Sequence, residues 1–96
     1  MCTISLKNIM NSTELLPEAG TSFYNELVSV LSEHDKVVID MSEVTSMPSV
    51  FLNVSIGRII DDYGMEALKK LSFTMITKQQ ARRLREYIEK YTSKSN

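Results

Sequence analysis

The side chains with the greatest capacity for chemistry follow a hydrophobic run in the first half of the chain. Asp40 lies near the end of that run, and the hydroxyl residues Ser46 and Ser49 come soon after it. Because ligands gather at the carboxyl ends of strands in α/β proteins, Asp40 is a candidate for function. The interpretation that we favour is that Asp40 accepts backbone N–H bonds from residues 42–46 and shapes the loop.

Ser46 lies two residues before Pro48 and Ser49 lies directly after it, where an apolar helix pattern begins. The N-terminus of a helix has free N–H groups and the positive end of the helix dipole, so a phosphate on one of these hydroxyls would be tolerated there. Helix capping and turn formation alone explain Ser46. From local chemistry both interpretations stay open, and capping is favoured.

Four basic residues lie close together in the last helical pattern: Lys78, Arg82, Arg83 and Arg85. Lys78, Arg82 and Arg85 share one side of a helix because they are four and three residues apart. The group can be a solvated face, a contact surface for an acidic protein, or a binding surface for nucleic acid or an anionic ligand. The sequence pI of about 5.8 and the lack of aromatic residues among these bases disfavour nucleic acid.

Sequence signatures of enzymes and of cofactor or metal sites are missing. The chain has no phosphate-binding glycine loop, no serine-nucleophile elbow and no His-Glu-x-x-His motif. A single cysteine, Cys2, and a single histidine, His34, exclude a disulfide within the chain and a zinc site built from several cysteines or histidines. We predict a protein that is not an enzyme and uses no cofactor or metal. An enzyme built around Asp40 and His34 is the least favoured alternative.

The composition is that of a soluble globular domain: the 96 residues are 43% hydrophobic and 24% charged. The net charge of −1 conceals a split along the chain. Residues 1–62 carry three cations against nine acids, a net of −6, and residues 63–96 carry eight cations against three acids, a net of +5. The sequence contains no secretory signal and no apolar run long enough to span a bilayer. We therefore expect a cytoplasmic protein without a membrane partner.

Hydrophobic periodicity predicts the elements that position these residues. Alternating apolar side chains predict a half-buried strand over residues 3–9. Helical spacing predicts a helix that has Pro17 in its first turn; the alternative is a later start, with Thr21 or Ser22 as the cap and residues 14–20 as a loop. The unbroken β-branched run at residues 36–41 is typical of a central strand covered on both faces.

The second half of the chain continues the alternation of helices and strands. The predicted elements are a helix from Pro48 to Gly64, one helical turn at residues 65–70, a strand at residues 71–76 and a helix ending near Tyr91. Gly64 is expected to close the first of these helices. Met75 is expected to face the core, and Thr77 and Gln80 to form a capping box.

The resulting order is β-α-β-α-β-α in one α/β domain, residues 1–96, with its core at residues 3–91 and a polar tail at residues 92–96. The crossover between the second and third strands is long enough for a parallel connection. We expect a short, mostly parallel sheet with strand 36–41 at its centre. Because the other two strands alternate, one sheet face would lack a helix cover, and a homodimer across that face is a further alternative.

With this topology, residues 37–52 resemble the core of a STAS domain. The STAS family includes bacterial anti-sigma factor antagonists and the cytoplasmic domains of sulfate transporters. The closer similarity is to small STAS-like domains of uncharacterised function, in which a Ser-Ser-Phe-Leu-Asp/Asn segment leads into a Gly-containing helix, a strand entered through Leu-Lys-Lys and a terminal helix. Here the Val-Phe-Leu-Asn segment at residues 50–53, Gly57 and the Leu-Lys-Lys-Leu-Ser-Phe segment at residues 68–73 follow that layout. The resemblance covers residues 18–91.

The resemblance implies a partner-binding surface made by the loop and the second helix, with Ser46, Ser49, Phe51 and Asn53 in contact with the partner. In antagonists that are regulated by phosphorylation, the modified residue is the second hydroxyl of the loop, and the ungapped match places Val50 there. Ser49 matches the preceding position and remains the candidate phosphoacceptor.

We therefore predict a non-enzymatic protein–protein interaction module, a signalling or regulatory component that resembles anti-sigma factor antagonists without their standard phosphoacceptor serine. The expected partner is another protein, such as a regulatory kinase-like protein or a member of a sigma-factor pathway, in a bacterial or phage cytoplasm. The alternative is a binder of nucleic acid or an anionic ligand that uses Lys78, Arg82, Arg83 and Arg85.

Overall fold

The computed structural model describes residues 2–11, 16–44 and 47–94 of the chain. The elements in these ranges are, in chain order, β1 (Cys2–Ser5), α1 (Leu6–Met10), α2 (Leu16–Leu31), β2 (Val37–Asp40), α3 (Ser49–Asn53), α4 (Ile56–Tyr63), α5 (Met65–Leu68), β3 (Leu71–Thr74) and α6 (Lys78–Lys94).

The three strands form one parallel sheet in the order β1-β2-β3, so that β2 is the central strand. Ile39 of β2 pairs with Ile4 of β1 on one side and with Phe73 of β3 on the other. The prediction of an α/β domain with a parallel sheet is confirmed. The prediction had six alternating elements and one extra helical turn, whereas the described residues form nine elements, because the helical segments are more finely divided than periodicity indicated.

The two faces of the sheet differ in burial. Val37 and Ile39 are fully buried on the core face. Successive residues of a strand point to opposite faces, and the other face carries exposed Thr3 and Ser72 with half-buried Val38 between them. The prediction that the central strand is covered on both faces is therefore wrong. The β-branched run supplies strand propensity on both faces but complete burial on only one.

The core unites the sheet with α2, α3 and α4 in one apolar cluster. Phe23 of α2 and Phe51 of α3 are both buried, and their rings stack with centroids 5.9 Å apart and planes inclined by 7°. Leu27, Leu52 and Ile59 are buried beside them. Since a buried aromatic ring contributes more apolar area than any aliphatic side chain, this stack fixes how α2 and α3 pack.

The first strand is shorter than predicted. β1 ends at Ser5, and Leu6 and Ile9 are buried from one face of the helix α1. Two apolar residues three positions apart lie on the same face of a helical turn. In so short a segment, the alternation of apolar residues cannot distinguish this helix from a strand. The predicted strand over residues 3–9 is therefore wrong beyond residue 5.

The structure decides between the two predicted starts of the first long helix. α2 begins at Leu16, which confirms the start with Pro17 in the first turn and rules out the alternative of a loop up to residue 20. Pro17 lies in the first turn, where its missing N–H removes no hydrogen bond. Gly20 is buried inside this helix rather than in a loop, because α2 packs directly against α3 at that point.

The predicted helix from Pro48 to Gly64 is two helices, α3 and α4, separated at Ser55. Ser55 has φ −124° and ψ −85° and is fully buried. Its hydroxyl donates to the carbonyl of Phe51 at 2.8 Å, so the buried polar group is satisfied within the break. Gly64 closes α4 with φ 79°, as predicted from its type and position.

The C-terminal elements are partly as predicted. The capping box is confirmed: the backbone N–H of Gln80 donates to Thr77 Oγ1, and that of Thr77 donates to Gln80 Oε1, both at 3.1 Å. The prediction that Met75 faces the core is wrong, because β3 ends at Thr74 and Met75 has φ 56° with 73% of its surface exposed. α6 includes residues 92–94, which therefore do not belong to a polar tail.

Candidate functional site

A groove of about 470 Å³ runs between α3 and α6 and joins the two surfaces that the sequence singled out. From α3 it is lined by Ser49 and Leu52. From α6 it is lined by Gln79, Arg82, Arg83, Glu86, Tyr87 and Lys90. We call this region the α3–α6 groove. It places the candidate hydroxyl of one surface beside two of the four bases of the other.

The α3–α6 groove carries more positive than negative charge. Arg82, Arg83 and Lys90 stand against a single carboxylate, Glu86. Arg82 Nε lies 3.9 Å from Glu86 Oε1, and both side chains are mostly exposed, so this pair is weak and neither group is committed to it. A guanidinium presents a planar fork of N–H donors that matches a carboxylate or a phosphate. The groove is therefore suited to an anionic group.

One buried side chain and two tyrosine hydrogen bonds help to hold α6 against the domain. Leu84 is buried in the core, the Tyr87 hydroxyl donates to Asn53 Oδ1 at 2.6 Å, and the Tyr91 hydroxyl donates to Asp61 Oδ2 at 2.5 Å. The bond to Asp61 raises the pKa of Tyr91 to about 12, because the phenolate would lose this bond and face the carboxylate. Burial is the main reason that the pKa of Tyr87 is raised. These anchors fix the α6 wall of the groove relative to α3 and α4.

Gly57 allows α4 and α6 to approach each other closely. A Cβ atom at Gly57 would lie 2.8 Å from the Tyr87 hydroxyl oxygen and 3.0 Å from Tyr91 Cε1. The two tyrosine rings stack on each other with centroids 5.8 Å apart. A glycine at this position of α4 therefore leaves room for the pair of rings that ties down the C-terminal helix.

Asp40 organises the loop that follows β2. Its Oδ1 atom accepts hydrogen bonds from the Ser42 backbone N–H at 2.9 Å and from the Ser42 hydroxyl at 2.6 Å. The side-chain bond from Ser42, followed by the backbone bond, lowers the pKa of the Asp40 carboxyl. Two residues later, the carbonyl of Val44 accepts a hydrogen bond from Gln80 Nε2 at 2.5 Å. The loop is thus connected to the first turn of α6 beside the groove.

The predicted partner-binding residues have separate locations. Ser49 is exposed in the α3–α6 groove, and Asn53 is exposed next to it, where it accepts the hydrogen bond from Tyr87. The prediction that Phe51 contacts a partner is wrong, because its side chain is 0% exposed and stacks in the core. Ser46 lies outside the described residues.

The basic cluster is divided by the groove. Arg82 and Arg83 line it, whereas Lys78 and Arg85 are exposed on α6 outside its lining. Lys90 is a groove residue that the sequence interpretation missed. Its position eight residues after Arg82 was the available signal, since residues seven or eight apart return to the same face of a helix.

The structure separates the two residues of the enzyme alternative. His34 lies in the turn after α2, where its backbone N–H donates to the Val30 carbonyl at 2.9 Å, and Asp40 is at the far end of β2. Among residues 2–11, 16–44 and 47–94, no group of three or more histidine, cysteine or acidic residues could hold a metal ion. In the same ranges every helix is too short or too polar to cross a membrane.

Comparison with known proteins agrees with this architecture. A family model described as a STAS-like domain of unknown function (DUF4325) matches residues 19–81, from the first turns of α2 to the start of α6. No curated protein matches significantly, and no solved structure does. Because the match covers well over half of the residues, the chain belongs to the family of STAS-like domains of unknown function.

Proposed function

We propose that this chain is a non-enzymatic module that binds an acidic segment of another protein in the α3–α6 groove and acts in signalling or regulation. One observation carries the proposal: Ser49, which the resemblance to STAS domains implies is part of a partner-binding surface, lines the same groove as Arg82 and Arg83.

The chemistry of the groove supports a protein segment as the ligand. Tyr87 is half-buried at the α6 side, so an aromatic side chain is partly accessible beside the cations, whereas Leu52 is almost completely buried beneath the groove. A protein segment can supply carboxylates for Arg82 and Arg83 together with apolar side chains for this surface. Glu86 disfavours nucleic acid as the ligand, because its carboxylate would be repelled by the phosphate that every nucleotide of the backbone carries.

Ser49 links the proposed binding to regulation. A phosphate on this hydroxyl would add up to two negative charges to the groove that Arg82 and Arg83 line. It would then compete with the carboxylates of a partner for the same guanidinium groups. Modification of Ser49 is accordingly proposed to weaken partner binding, and the Ser49→Asp variant should weaken it in the same direction.

The proposal is tested by capture of proteins on immobilised chain, with two matched double variants. Arg82→Glu/Arg83→Glu reverses two bases inside the groove, and Lys78→Glu/Arg85→Glu reverses two bases on the same helix outside it. We expect at least about a tenfold loss of captured partner for the groove variant and little change for the control, since buried or confined charges matter more than rim charges. Equal retention by both variants would overturn the proposal.

The same variants decide the nucleic-acid alternative. A surface for nucleic acid would use the whole basic face of α6, so both double variants should reduce binding to heparin or labelled DNA, with a steep dependence on salt. The groove proposal expects no strong retention of the wild type at physiological salt. Equal losses for the two variants on heparin would favour the alternative over a protein partner.

A further inference from the structure

A pocket of about 270 Å³ lies between the end of α2 and the segment that joins α4 to β3, and it shares no lining residue with the α3–α6 groove. Its apolar lining consists of Val28 and Leu31 of α2, Tyr63 of α4 and Ala67 of α5. Three of these side chains are half-buried, and Tyr63 keeps 53% of its surface exposed. The α2–α5 pocket, as we call it, is therefore an apolar depression that solvent can enter.

Two opposite charges, Glu66 and Lys70, also line the α2–α5 pocket. Glu66 Oε1 lies 3.3 Å from Lys69 Nζ, and both side chains are mostly exposed, so this pair is weak and Glu66 can exchange it for another cation. Among the residues that the structure describes, no carboxylate forms an ion pair with Lys70. The pocket therefore offers one anionic and one cationic group beside an apolar surface.

The end of α2 favours a positive charge on its side of the α2–α5 pocket. The last turn of α2 lies wholly within the described residues and contains no lysine or arginine, so the negative end of the helix dipole has no cation of its own there. Ser32 lines the pocket directly after this turn. Its hydroxyl donates to the Ser29 carbonyl at 2.8 Å, which leaves the hydroxyl oxygen able to accept a hydrogen bond. An ammonium group in the pocket would thus find an acceptor, a carboxylate and a favourable dipole.

We propose that the α2–α5 pocket binds a free amino acid with an apolar side chain, such as leucine. The side chain lies against the apolar lining, the ammonium group binds Glu66 and the hydroxyl oxygen of Ser32, and the carboxylate binds Lys70. A volume of about 270 Å³ is at the small end of the range for ligand sites, which suits one amino acid better than a larger molecule. A ligand with a single charge is disfavoured, because an anion alone meets Glu66 and a cation alone meets Lys70. This site goes beyond the proposed function and does not depend on it.

Titration of the isotope-labelled chain with leucine, followed by the amide shifts of Leu31 and Ala67 in NMR spectra, tests the site. Leucinamide lacks the carboxylate and isocaproate lacks the ammonium group, so both should bind more weakly than leucine. Lys70→Gln should weaken leucine up to about fivefold and leave leucinamide unchanged. Glu66→Gln should weaken leucine and leucinamide but not isocaproate. The matched control is Lys69→Gln, which removes a neighbouring cation outside the lining and should not weaken leucine.

Three outcomes would overturn the inference. The first is the absence of saturable shifts in the wild type up to about 10 mM leucine, the Kd expected for ~9 non-hydrogen atoms at the lower bound of ligand efficiency. The second is binding of leucinamide or isocaproate as tight as that of leucine; for leucinamide this would indicate a site for the amino terminus of a peptide. The third is equal weakening by Lys69→Gln and Lys70→Gln, which would indicate a general effect of surface charge.

Discussion

Gly20 is the position at which a single methyl group tests how α2 packs against α3 and thereby the wall of the groove. A Cβ atom at Gly20 would lie 2.4 Å from Val54 Cγ2 and 2.7 Å from the Phe51 carbonyl oxygen. Ordinary contact begins at 3.4 Å, so at the carbonyl the helices must separate by about 0.7 Å. The Val54 methyl can rotate away. The carbonyl cannot, because it belongs to the backbone of α3 and accepts the bond from Ser55.

The expected cost of Gly20→Ala follows from two opposing effects. Overpacking a well-packed interior costs about 1–3 kcal/mol, and a clash with backbone belongs to the upper end of that range. Alanine in place of glycine inside a helix regains up to about 1 kcal/mol of helix propensity. The net loss of unfolding free energy is therefore about 1–2 kcal/mol. For a domain of this size it should lower Tm by roughly 5–15 °C.

Gly57→Ala is the matched control for this prediction, measured by urea and thermal denaturation with circular dichroism at 222 nm. It also places alanine for glycine in a helix, but the atoms nearest to its Cβ are the ends of the Tyr87 and Tyr91 side chains, which yield more readily than backbone. We expect this variant to cost less than Gly20→Ala, because it loosens the hydrogen bonds of the two tyrosines without forcing two helix backbones apart. If Gly20→Ala were as stable as the wild type, or more stable than Gly57→Ala, the close packing of α2 on α3 would be refuted.

Three further predictions concern the groove wall, the core and the loop. Asp61→Asn should lower the pKa of Tyr91 from about 12 toward its ordinary value, which can be followed by tyrosinate absorbance at 295 nm. In the wild type, the stability that this raised pKa contributes is complete below pH about 10 and is lost as the pH rises toward 12. An unchanged titration of the variant would contradict the hydrogen bond. Phe51→Ala should cost about 3–5 kcal/mol in urea denaturation and Phe51→Leu clearly less, whereas a surface position would show neither loss. Ser42→Ala should raise the lowered pKa of the Asp40 carboxyl, measured by carboxyl NMR. It should also reduce the loss of folding stability as the pH falls through that pKa. An unchanged pKa of Asp40 would disprove the role of the Ser42 hydroxyl.

Local signals in the sequence predicted what local physics decides. The capping box at Thr77 and Gln80 and the closing glycine Gly64 each depend on a few neighbouring residues, and both are present. The central position of β2 followed from its apolar run. Such features need no knowledge of distant contacts.

The errors arose where a distant contact changes the local pattern. A continuous helix through Ser55 would keep one apolar face, but the buried break at Ser55 divides the helix and leaves Phe51 directed at α2. The start of α2 stayed open between Pro17 and Thr21, since the contact that accommodates Gly20 inside a helix comes from α3, more than thirty residues away in sequence. Hydrophobic periodicity within a short stretch of sequence contains no information about contacts with distant residues.

The groove between α3 and α6 shows the same limit of local sequence patterns. Ser49 and Arg82 are separated by more than thirty residues, and only the packing of α6 on α3 and α4 through Tyr87 and Tyr91 makes them neighbours.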